Sequence, residues 1–98
     1  MFKQKETVFI YYTAPTGKRV LTNTKQIVSY EHEYENIYTI YIKQKGSAKF
    51  LARDLGGEVV GDDIVKVAVE VDPRSIDYLP KDKEGIEIEK KDKEEITA

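Results

Sequence analysis

The chain has 98 residues, 35% charged and 40% hydrophobic, with a formal net charge of −2 and no cysteine. That length and apolar content suffice for one core, and the missing cysteine excludes disulfides, thiolate nucleophiles and cysteine-bound metals. Residues 1–55 carry nine Lys/Arg against five Asp/Glu and residues 56–98 seven against thirteen, so neither a polybasic nucleic-acid binder nor a strongly acidic mimic of nucleic acid is expected.

The first residues, MFKQKETV, lack the apolar centre of a signal peptide. No apolar run approaches the roughly 18 residues of a membrane span, so the expectation is a cytoplasmic protein with no membrane partner. Thr7 to Thr13, TVFIYYT, is a β-branched and aromatic run of strand length. Pro15 and Gly17 in APTGK then predict a turn. Lys18 to Thr22 forms the returning strand, and Gln26 to His32 a third.

The stretch YEHEYENIYTIYIKQK, Tyr30 to Lys45, carries two spacings. Tyr30, Tyr34 and Tyr38 recur as on a helix, whereas Tyr38, Ile40 and Ile42 alternate as on a strand. Every residue from Ile37 to Ile42 is β-branched or aromatic, which favours a hairpin. A four-residue turn over Glu33 to Asn36 would set Tyr30 against Thr39, Val28 against Tyr41 and Ile27 against Ile42. One face would then collect Ile27, Tyr38, Ile40 and Ile42. The other would collect Val28, Tyr30, His32, Thr39 and Tyr41.

Ser47 as N-cap and Gly56 as left-handed C-cap delimit a short helix over SAKFLARDL, with Phe50, Leu51 and Leu55 on its buried stripe. Gly57 to Val60 and Ile64 to Val71 are strands joined by Gly61-Asp62-Asp63. In the second of them Val65, Val67, Val69 and Val71 line one face. Asp72-Pro73 ends it, and Arg74 to Pro80 is expected to be an extended segment docking Ile76, Tyr78 and Leu79. From residue 81 onward, twelve of eighteen residues are charged, which predicts a disordered tail over 81–98 behind a single domain over 1–80. The predicted fold is α+β: a mostly antiparallel sheet of about five or six short strands with one helix packed on it.

The candidate chemical sites are weak. His32 is the sole histidine, with no nucleophile near it in sequence, and reads as a hairpin-tip residue. EHE, and Glu58 with Asp62 and Asp63, lack the spacing of a metal site. APTGKR lacks the second glycine and the hydroxyl of a phosphate loop. No cofactor, no metal and no enzymatic activity are therefore expected.

The tyrosines carry more. Phe9, Tyr11, Tyr30 and Tyr41 could share one sheet face, with Lys18, Lys25, Lys43 and Lys45 around it and Arg19 beside Lys18 at the basic turn, unless the helix and the Arg74–Pro80 segment cover that face. Such a face serves as a protein interface, because Tyr is rigid and amphipathic, or as a stacking platform for single-stranded nucleic acid. One short helix cannot cover both sheet faces, so a protein partner or a homodimer on Tyr11, Tyr30, Tyr41, Lys18 and Arg19 is the leading expectation. Nucleic acid is the alternative. The expected function is a small non-catalytic binding or regulatory module. The bias to Lys, Glu, Ile and Tyr suits a thermophile, an AT-rich genome, or a phage, archaeal-virus or mobile-element product (then in the host cytoplasm).

Overall fold

The computed structural model describes residues 8–88. These form a small α+β domain of antiparallel strands and one helix, in chain order β1 (Phe9–Thr13), β2 (Arg19–Asn23), β3 (Ile27–Tyr34), β4 (Ile37–Lys43), α1 (Ala48–Leu55), β5 (Glu58–Gly61) and β6 (Ile64–Val71). The sheet runs β2-β1-β6-β4-β3. β4 pairs with the whole of β6. On the other side of β6, β5 takes the first half and β1 reaches only the end, through Tyr12↔Val71 and Thr13↔Glu70.

β6 organises the core because its alternation is unbroken. Val65, Val67, Val69 and Val71 are buried, and each such side chain contributes about 1.5–3 kcal/mol through lost contact with water. Ile40 and Ile42 of β4, Ile10 and Tyr12 of β1 and Ile27 of β3 meet them on the same face. The Tyr12 hydroxyl shares a 2.6 Å hydrogen bond with the Thr22 hydroxyl, so neither polar group is stranded in the core.

The β3–β4 hairpin corrects the expected facing of its tyrosines. Its turn contains two residues, Glu35 and Asn36, with Glu35 at φ 46°. Pairing therefore begins at Tyr34↔Ile37 and places Tyr30 opposite Ile40 and His32 opposite Tyr38. Register shifts between His32 and Tyr34 and between Ile27 and Ser29 absorb the difference, so Ile27 still meets Ile42 as expected. Tyr30 thereby turns to the core face, where it is 4% exposed and lies edge-on to Tyr38 at 6.1 Å. A one-residue slip reverses a side chain's face.

Helix α1 covers one end of the core face. Ala48, Ala52 and Leu55 are buried and Leu51 half-buried, while Phe50 is 71% exposed. Phe50 follows Ala48 by two residues, roughly 200° around the helix, so the expected stripe was right for Leu51 and Leu55 and wrong for Phe50. Ser47 stands at the N-terminus without capping through its side chain. Its Oγ instead accepts from Gln44 Nε2 at 3.0 Å. Gly56 ends the helix at φ 84°, and a Cβ there would press on Thr16 and Pro15 of the β1–β2 turn.

After β6 the chain follows β1 and then crosses to β3. Asp72 N donates to Tyr11 O at 2.9 Å, and Tyr11 N donates to Ser75 Oγ at 2.9 Å. Ile76–Tyr78 is a 3₁₀ turn, not an extended segment. Its neighbour Leu79 is buried in the core and Ile76 packs against it, whereas Tyr78, expected to dock, is 58% exposed. Gly85 N then donates to Tyr30 O at 2.8 Å, and Ser29 Oγ donates to Ile86 O at 2.5 Å. Of the charged segment expected as a tail, residues 81–86 lie against β3, and residues 89–98 are outside the described residues. No helix among the described residues is long and apolar enough to cross a membrane.

Candidate functional site

The sheet has a core face and an outer face, and the outer face is divided. Across β4 and β3 it carries Glu31, Glu33, Lys43 and the half-buried Tyr41, and Thr39 Oγ1 donates to Glu33 Oε2 at 2.8 Å. Across β1 and β2 it carries Phe9, Tyr11 and Leu21 together with Thr13, Arg19 and Asn23. Tyr11 lies opposite Leu21 and Phe9 opposite Asn23. Tyr11 is 50% exposed, Leu21 47% and Phe9 42%. With Tyr78, these side chains line an open groove of about 770 Å³.

One rim of the groove is a charged cluster. Asp72 Oδ1 and Oδ2 accept from Arg74 Nε at 3.3 Å and Nη2 at 3.2 Å, and Arg19 Nη2 stands 4.0 Å from Asp72 Oδ2. Arg74 N also donates to Asp72 Oδ1 at 2.9 Å. The Arg74 side-chain hydrogen bonds are the main cause that holds the Asp72 carboxyl below its ordinary value, and they raise the Arg74 guanidinium in return. Asp72 thus stands between two cations, and Glu70, beyond Thr13 in the same cross-strand row as Arg19, is a second carboxylate on this side. Between Val8 and Tyr30 the chain has Lys18, Arg19 and Lys25 and no Asp or Glu.

The five sequence-predicted site residues do not converge. Tyr11 and Arg19 share the groove. Tyr30 is in the core, where burial first, and then Glu84, Tyr38 and Asp82, raise its phenol above the ordinary tyrosine value. Tyr41 is on the outer face but pairs with Lys66 near the start of β6, whereas Tyr12, next to Tyr11, pairs with Val71 at its end. Lys18 points to the helix, with Nζ 2.7 Å from Asp54 Oδ2, while Thr16 Oγ1 donates to Asp54 O at 3.0 Å. The basic turn is thus docked on the C-terminus of α1, where a cation is favoured.

Leu21, Tyr78, Asp72 and Arg74 are the groove residues that sequence reasoning missed. Leu21 was legible, because Arg19-x-Leu21 alternates and a charged Arg19 marks the solvent side. Arg74 and Tyr78 were not, because they sit in a non-repetitive segment whose path is set by Ser75 on Tyr11. His32 stacks on Tyr38 at a centroid distance of 4.7 Å, with Nε2 2.7 Å from Glu35 O, at the hairpin tip. Among the described residues no three His, Cys, Asp or Glu side chains are grouped to hold a metal ion.

No protein-family model, no curated protein and no solved structure matches the chain.

Proposed function

We propose that the chain is a small non-catalytic protein-binding or regulatory module whose contact surface is the outer face of β1 and β2. The observation that carries this reading is the juxtaposition of Phe9, Tyr11, Leu21 and Tyr78, all exposed, around one groove. Exposed apolar side chains that cluster, rimmed by polar groups, mark interaction sites more than scattered ones do. Tyr and Arg are the residue types that carry most interface energy, and both are present here.

A second reading, single-stranded nucleic acid on the same aromatics, has the basic β1–β2 hairpin in its favour. Against it, Lys18 is engaged by Asp54, and the fork of Arg74 is occupied by Asp72.

The test is affinity capture from lysate of the source cells, or of its host, with wild-type protein and with Tyr11→Ser, alongside sedimentation of both. The proposal expects a specific protein, or a second copy, to be held by wild type and lost from the variant, with both proteins equally folded. A wild-type protein that is monomeric and retains nothing, or retains the same protein as the variant, would sink it. Retention of nucleic acid that falls steeply with salt would transfer the site to the second reading.

A further inference from the structure

The backbone of β2 is as informative as its side chains. Ala14 N donates to Lys18 O at 2.8 Å, and Thr24 N donates to Val8 O at 2.8 Å. With the register Ile10↔Thr22 and Tyr12↔Val20 between them, the hydrogen-bonded pairs of this ladder involve Lys18, Val20, Thr22 and Thr24. Arg19, Leu21 and Asn23 therefore turn their N–H and C=O groups away from β1. Among the described residues no strand pairs with that edge. The same three residues place their side chains on the outer face, opposite Thr13, Tyr11 and Phe9.

We infer that this edge takes up an extended segment of a partner protein, one with an acidic residue two positions from an apolar one. The inference rests on the protein-binding reading above and names its ligand. An added strand would hydrogen-bond to Arg19, Leu21 and Asn23, and its residues on the outer face would lie beside theirs. An apolar side chain there extends the Leu21–Tyr11 surface. A carboxylate two residues along reaches Arg19, the more lightly held of the two rim guanidiniums. The alternate side chains of the segment fall beside Val20 and Thr22. Charge complementarity selects this occupant over a second copy of β2: the Arg19 side chain is 69% exposed, and a copy paired antiparallel about Leu21 would set Asn23 beside it and offer no carboxylate.

The experiment uses the full chain and a labelled peptide, Glu-Thr-Leu-Thr-Glu flanked by threonines, which suits either strand direction. A control peptide carries Lys for Glu. The acidic peptide should bind and the control should not. Arg19→Glu should weaken the acidic peptide about tenfold or more and restore the control. The edge is read by two further measurements. Amide exchange at Arg19, Leu21 and Asn23 should slow on binding, while Val20 and Thr22, already bonded to β1, should change little. Leu21→Pro should weaken binding several-fold beyond Leu21→Ala, because proline removes an outward N–H and no bond to β1. Arg19→Glu, an exposed change, keeps the test decisive if the proline variant does not fold. Peptide binding that Tyr11→Ser abolishes, with no new amide protection and equal effects of the two Leu21 variants, would keep the face reading and overturn strand addition. No binding of the acidic peptide, tighter binding of an oligothymidylate, or a dimer dissolved by Leu21→Pro would each overturn the inference.

Discussion

The sheet edges at β3 and at β2 are finished in opposite ways. At β3 the chain closes its own edge: Gly85 and Ile86 bond to Tyr30 and Ser29, Ser29 is fully buried, and Tyr30 is packed against Tyr38. At β2 the outward N–H and C=O groups of Arg19, Leu21 and Asn23 meet no strand of the described chain, and the aromatic surface beside them is open. Tyr30 and Tyr11 both lie on strands, yet one is a core residue and the other is half-exposed. The difference lies in the face each occupies: Tyr30 is opposite Ile40 on the core face and Tyr11 opposite Leu21 on the outer face.

The largest expected effect tests the closed edge. Tyr30→Ala should cost about 3–5 kcal/mol in urea unfolding, as truncation of a buried aromatic does. A loss below about 1 kcal/mol would mean that Tyr30 is not core and that the two edges are alike. Next, Ser29→Ala leaves Ile86 O without its donor and should cost roughly 1 kcal/mol. It should also speed amide exchange at Gly85; unchanged exchange there would separate the 84–86 segment from the β3 edge.

At the open edge the electrostatics give a pH signature. The folded Asp72 carboxyl titrates below its unfolded value of 3.8. Its contribution is thus present above about pH 4 and is lost as pH falls through the lower folded value. Acid titration should release Arg74 from Asp72 in that window, visible as a chemical-shift change at the Arg74 Nε. Arg74→Gln should bring the Asp72 titration back toward 3.8, and an unchanged Asp72 titration would refute the pairing. The smallest effect is Tyr11→Ser, which should change stability by no more than about 0.5 kcal/mol, because a half-exposed surface residue contributes little to the core. A large loss would reassign Tyr11 from contact surface to structure.

Much of the fold was legible in the residues. The alternation of Val65, Val67, Val69 and Val71, the β-branched run at Ile37–Ile42 and the αL glycine at Gly56 each specify a local state that packing then used. The site was legible only in part. Tyr11 and Arg19, the two predicted residues that share the groove, lie on short alternating strands joined by the Pro15–Gly17 turn, so their common face follows from that alternation. Tyr30 was misplaced because its face depends on the length of the Glu35–Asn36 turn and on two register shifts, and an alternating pattern gives no sign of where a strand gains a residue. The pairing of Lys18 with Asp54 was not legible, because the two are thirty-six residues apart.

The sequence by itself determined the strand and helix segments, the one apolar face of β6 and the absence of cysteine chemistry, since these follow from periodicity and residue type. Only the tertiary structure decided which tyrosines are buried, which edge of the sheet the chain covers and which is left open, and that Asp72 and Arg74 stand beside Arg19. Those outcomes depend on contacts between residues far apart in the chain, and such contacts leave no local pattern to read.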